Sequence, residues 1–177
     1  KGKGFDRMDD EVTYTASMDG KIEMQNDRIV VLPVHEVSGN AELAEGNIDF
    51  RGDIVIHGNV ESGVNIRATG SITIDGVAEA CMLEAGKDII LRGGMLGGNK
   101  ASVKTKGAIT AKFFEFTNIL CEGDLQADVL MDCSVICHGQ IRLTGRKGSI
   151  IGGKVQAIRG LIATSLGNDA EKRTEIF

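Results

Sequence analysis

The sequence predicts an all-β chain: a single-stranded parallel β-helix (β-solenoid) of about seven rungs, with a small antiparallel β cap at its N-terminal side. Three observations carry this. Apolar and polar residues alternate in steps of two, and a glycine interrupts the alternation every one to two dozen residues. No stretch supplies the ten or more residues at helical spacing that a crossover helix needs. Glycine, at 24 of 177 residues against one proline, fits many corners rather than disorder, because the apolar residues between the glycines are strictly placed.

Residues 1–45 lack the repeat. Val12, Tyr14 and Ala16 alternate with polar residues before Asp19-Gly20, and Ile22 and Met24 alternate again before Asn26-Asp27. A third strand is expected over 28–34, with Pro33 marking it as an edge. An antiparallel unit here would cover the first rung of the solenoid.

Residues 46–166 hold the repeat. Gly52, Gly70, Lys87, Gly107, Gly123, Gly139 and Arg159 serve as anchors. Two and four residues after each anchor stand apolar residues, from Ile54 and Ile56 to Leu161 and Ala163; four and two before stand apolar residues again, with Thr105 the one departure. Six before, the column is mostly small: Gly46, Val64, Cys81, Ala101, Thr117, Cys133 and Gly153. A single rung leaves its apolar side and backbone groups unsatisfied, whereas stacking at roughly 4.8 Å satisfies both. The corner glycines are expected to supply positive φ. Lys87 and Arg159 imply corners that an ordinary backbone reaches, or whose glycine lies one residue off. Residues 167–177 read as a tail leading out of the solenoid.

Two rungs are longer and glycine-rich in their extra length, around 93–100 and 145–154. Extra residues bulge from a stack, and such loops are where binding surfaces sit. The second, with its neighbours, gathers Arg142, Arg146, Lys147 and Lys154 into a candidate partner or anion contact on a chain of net charge −5. Gly148, Gly153 and Lys154 also match the start of a nucleotide-binding loop, but Val155 stands where magnesium would need a hydroxyl, and a strand follows where a helix is required.

The remaining chemistry-bearing residues read as structural. Cys133 and Cys137 fall in inward columns while His138 points out, so they do not converge on a metal; Cys121 and Cys137 share a column in successive rungs, close enough for a bridge. His35 and His57 read as surface histidines. Asp9, Asp10 and Glu11, and Asp169, Glu171 and Glu175, lack catalytic spacing. Asp53, Asp88 and Asp124 form a partial acidic ladder that Ser71, Ala108, Gln140 and Gly160 interrupt, which reads as a solvated face. Phe113 is expected to be buried; the phases of Phe114 and Phe116 are ambiguous. No catalytic, cofactor or metal residue is assigned. The net charge argues against general nucleic-acid binding. No apolar run approaches a membrane span, no signal peptide is visible, and a chain starting at Lys1 reads as a fragment.

The phrases Gly46-Asn47-Ile48-Asp49-Phe50-Arg51-Gly52-Asp53-Ile54, Val31-Leu32-Pro33-Val34 and Lys147-Gly148-Ser149-Ile150-Ile151-Gly152-Gly153-Lys154 resemble the flagellar assembly protein A family of bacteria. The resemblance runs from about residue 12 to the end. It implies a right-handed solenoid followed by a helical, coiled-coil-prone segment, a role in flagellar assembly and polar organisation, and a sugar-phosphotransferase component as partner. It implies no catalytic residues. Residues and resemblance together lead to the expectation of a non-enzymatic, cytoplasmic scaffold, in one arrangement at the cell pole, that binds protein partners and self-associates through an open end. The rival is a carbohydrate- or small-ligand-binding solenoid, or a solenoid enzyme, working from an outer face or the glycine-rich loops.

Overall fold

Each alternating segment forms a short strand, and each inward column becomes a column of buried side chains. The structure, a computed structural model, describes residues 5–7, 14–17, 20–168 and 172–177. Of the residues named above, Lys1, Asp9, Asp10, Glu11, Val12, Asp19, Asp169 and Glu171 lie outside these. The chain is a β-solenoid with one eight-stranded and one ten-stranded parallel sheet. The first face is the eight-stranded sheet, from Val34–Val37 to Leu161–Ala163. The ten-stranded sheet supplies two further faces. Phe113–Cys121, Val129–Cys137 and Ser149–Ala157 each run through both of these, turning at Phe116 (φ 47°), Asp132 (φ 49°) and Gly152 (φ 68°).

The anchors stack directly on one another. Gly70 N–H donates to the Gly52 carbonyl at 2.8 Å, Lys87 to Gly70 at 3.1 Å, Gly107 to Lys87 at 3.3 Å, Gly123 to Gly107 at 2.9 Å, Gly139 to Gly123 at 3.1 Å and Arg159 to Gly139 at 3.1 Å. The columns beside them are fully buried through the middle of the stack, from Ile54 and Ile56 to Ile141 and Leu143. Thr105 departs from apolarity without leaving an unpaired group: its hydroxyl donates to the Lys87 carbonyl and accepts from Gly107 N–H. Cys121 and Cys137 repeat this contact one and two rungs later, their thiols donating to the Gly107 and Gly123 carbonyls at 3.3 and 3.2 Å.

Among the described residues the stack has eight rungs, in line with the roughly seven expected. Val34–Val37 pairs in parallel with Asp53–Ile56, so the solenoid begins before residue 46. Pro33 takes the anchor position of this first rung. From Gly70 to Arg159 the anchor N–H donates to the rung below, a bond proline cannot make; Pro33 serves only as acceptor, its carbonyl taking Asp53 N–H at 3.1 Å. The residues before it form antiparallel pairs, Phe5–Arg7 with Tyr14–Ala16 and Lys21–Gln25 with Arg28–Leu32, rather than one three-stranded unit. Asn26 and Asp27, both at positive φ, make the tight turn of the second hairpin. Val31 is buried, but Ile22, Met24 and Ile29 remain exposed. At the other end the residues expected as a tail return to the stack: Thr174–Ile176 pairs in parallel with Gly153, Lys154 and Val155.

The corner glycines serve a different purpose from the one expected. None of Gly52, Gly70, Gly107, Gly123 and Gly139 has positive φ. They are glycine because a Cβ would enter the rung below: at Gly123 it would lie 2.6 Å from the Gly107 carbonyl oxygen, and at Gly70, Gly107 and Gly139 it would also overlap the carboxylates of Asp53, Asp88 and Asp124. Those carboxylates accept the N–H of Ser71, Ala108 and Gln140 in the next rung at 2.8, 2.7 and 2.8 Å. The interrupted acidic ladder is therefore a set of rung-to-rung caps. Each aspartate requires a glycine one rung on, and the two non-glycine anchors, Lys87 and Arg159, follow Ser71 and Gln140, which carry no carboxylate. Their glycines lie one residue off, at Gly86 and at Gly160 with φ 111°.

Candidate functional site

The two glycine-rich lengths bulge at different corners. The first forms an irregularity between Leu96 and Ala101, with Gly98 and Asn99 at positive φ. The second opens only at 144–148; from Ser149 the chain is again strand. Val155 is fully buried within that strand, so the nucleotide-loop resemblance has no structural counterpart.

The four candidate basic residues do not converge. Arg142 stands outward on the first face, its Nε donating to Gln140 Oε1 at 2.7 Å. Lys154 stands on the third face, paired with Glu175 at 3.4 Å, a carboxylate that Arg173 also engages at 2.7 Å. Arg146 and Lys147 remain, and the fold adds Lys112 to them. The three border a groove of about 300 Å³ whose floor holds Phe113, Val129 and Met131, with Asp128 and Glu115 also in its wall.

Phe113, expected to be buried, is only half-buried; Phe114 is the fully buried residue. The reason lies in the corner before it. Phe114 aligns with Met95 and Leu130 in a third inward column, while Phe113 aligns with Val129 one step outward. Its ring rests on Gly94, where a Cβ would come within 2.6 Å of Phe113 Cε1. That third column, running through Val60, Ala78, Met95, Phe114, Leu130 and Ile150, escaped the sequence pattern because its distance from the anchor varies. It is eight residues at Val60, Ala78 and Met95, seven at Phe114 and Leu130, and eleven at Ile150, where 144–148 intervenes.

Among the described residues no carboxylate pairs with Lys112, Arg146 or Lys147, whereas Arg67, Arg92, Lys154, Lys172 and Arg173 all have partners. The third-face corner shows the contrast: Lys172 Nζ pairs with Asp132 and lies 5.6 Å from the centre of the Phe116 ring.

The titratable groups elsewhere are structurally engaged. His57 is exposed, with Nε2 at 2.6 Å from Glu36 and Nδ1 at 2.9 Å from Asp75, which also binds Arg92 at 2.9 Å. The hydrogen bond to Glu36, then that to Asp75, raises its pKa above 6.5. With both ring nitrogens committed to carboxylates, the imidazolium is favoured and neither nitrogen is free as a base. All four cysteines are buried and free. Burial pushes the Cys81 thiol up to about 12 and the Cys133 thiol up to about 11. Cys121 and Cys137 are in register in adjacent strands; the neighbouring Cys137 sulfur, with burial, holds Cys121 protonated, its pKa raised. Among the described residues no group of three His, Cys, Asp or Glu side chains is placed to hold a metal.

The chain matches the family model of the Flagellar Assembly Protein A beta solenoid domain over residues 33–177. It belongs to that family. The matched region of this flagellar assembly protein A solenoid begins at Pro33, the anchor of the first rung, and runs through the strand Thr174–Ile176 of the eighth. No curated protein and no solved structure matches the chain. No helix of the described residues is long and apolar enough to cross a membrane.

Proposed function

We propose that this flagellar assembly protein A solenoid is a non-enzymatic scaffold that presents a protein-binding surface at the corner formed by Lys112, Phe113, Val129, Met131, Arg146 and Lys147. The observation that supports it most is the coexistence there of half-buried apolar side chains and three cations without a carboxylate partner among the described residues. Arg67, Arg92, Lys154, Lys172 and Arg173, by contrast, each face a carboxylate. Amphipathic patches of this composition are typical of recognition surfaces. The cytoplasm, and the cell pole in particular, is the compartment this reading assigns, with a sugar-phosphotransferase component as one partner to be tested.

Affinity capture from bacterial lysate, with the full chain as bait and Arg146→Ala/Lys147→Ala as control, tests the reading. The control should keep its stability within about 0.5 kcal/mol, since both side chains are exposed. A saturable protein partner lost in the control supports the scaffold. Capture of a saccharide with no protein overturns it in favour of a ligand-binding solenoid.

A further inference from the structure

Resting on the scaffold reading, we infer that the groove takes an amphipathic α-helix whose apolar stripe lies along the solenoid axis and whose flank towards Lys112, Arg146 and Lys147 is acidic. The argument for a helix starts from the backbone. In a parallel solenoid the N–H and C=O groups point along the axis and are spent between rungs, as the pairings of Phe113–Cys121 with Val129–Cys137 and of the latter with Ser149–Ala157 demonstrate. This face therefore offers side chains only. An extended peptide laid on it would leave its own backbone groups unpaired, whereas a helix satisfies its own.

The dimensions agree. The outward column of the second face carries Leu96, Glu115, Met131 and Ile151 in successive rungs, with Phe113 and Val129 beside it. Leu96 to Ile151 covers three rung steps, about 14 Å, which matches about ten residues of helix. A stripe at i, i+4 and i+7 then meets three successive rungs.

Charge decides the flank. Lys112, Arg146 and Lys147 are exposed, while the two nearby carboxylates, Asp128 and Glu115, are half-buried. Asp128 lies directly against Gly145, beneath the loop that carries Arg146 and Lys147. The solvent-facing edge of the groove is thus cationic, and a partner with acids along that edge gains while one with lysines loses.

The test uses the full chain and a fluorescein-labelled, helix-favouring peptide with leucines at i, i+4 and i+7 and glutamates along one flank, read by fluorescence anisotropy. Two control peptides are a scrambled sequence of equal composition and a version with lysine for each glutamate. Saturable binding of the acidic helix is expected, weakened at least about tenfold in Lys112→Glu/Arg146→Glu/Lys147→Glu and weakened by added salt. Met131→Gln should weaken it too, with the thermal melt of each variant showing that the fold is kept. Equal binding of the scrambled or lysine peptide, or an unchanged affinity in the triple variant, overturns the inference. If lysate capture depends on Arg146 and Lys147 while the acidic helix does not bind, this inference fails and the scaffold stands. If the helix binds but no protein is captured, the scaffold reading fails instead.

Discussion

The coupling between an aspartate and the glycine one rung above it can be measured. Gly139→Ala would drive a Cβ into the Gly123 carbonyl and the Asp124 carboxylate. The carboxylate must then leave, and its 2.8 Å hydrogen bond from Gln140 N–H is lost. A hydrogen bond to a charged acceptor contributes about 1.5–3 kcal/mol, and forcing a methyl group into packed backbone costs about 1–3 kcal/mol. Reduced freedom of the unfolded chain returns about 0.4–1 kcal/mol. Gly139→Ala should therefore destabilise by about 2–5 kcal/mol. Asp124→Ala removes the same hydrogen bond without the strain. Since that bond can be lost only once, the double variant should fall short of the sum of the singles by at least about 1.5 kcal/mol. Urea midpoints give each value. Gly123→Ala with Asp53→Ala is the control, because the Asp53 carboxylate caps Ser71, several rungs away, and shares no partner with Gly123; this pair should add to within about 0.5 kcal/mol. An additive Asp124/Gly139 cycle would refute the account of the anchor glycines.

Three further outcomes are expected. Ile141→Asp places an unpaired charge at a site with no solvent exposure; it should cost more than about 4 kcal/mol or abolish folding, and an unchanged urea midpoint would show that the column faces elsewhere. The raised pKa of His57 makes its bonds to Glu36 and Asp75 stabilising below its unfolded value of 6.5, with that contribution lost as pH rises through the higher folded value. The melting temperature of His57→Gln should then approach that of the parent chain on going alkaline, and a gap constant with pH would contradict this. Cys81 and Cys133, buried and held at about 12 and 11, should react with an aromatic disulfide reagent at pH 8 only at the rate of unfolding; immediate labelling of either in the native protein would contradict their burial.

The repeat was legible because it is written in residue types that only one arrangement satisfies. A period-two apolar code at seven anchors, stacked at one strand spacing, places Ile72 over Ile54 and under Ile89 whatever the rest of the chain does. The first and last rungs were less legible. Pro33 and His35 occupy positions that hold glycine and isoleucine in the next rung, and Thr174–Ile176 has no anchor after it. End rungs have a neighbour on one side only, so the column rules relax there.

The binding corner was half legible. Arg146 and Lys147 stood out as charges in an extra length of chain, but Arg142 and Lys154, close to them in sequence, are carried to other faces. Lys112 lies far from them in sequence and arrives by stacking. By itself the sequence determined the solenoid, its inward columns and the positions where chain is inserted, because burial and backbone pairing leave local residue patterns no alternative. Only the tertiary structure decided which charges share a corner, which aspartates cap which rungs, and which phenylalanine faces the groove. Those depend on the register of rungs of unequal length, and an offset of seven, eight or eleven residues between anchor and second face is set by how each corner closes rather than by the pattern within any one strand.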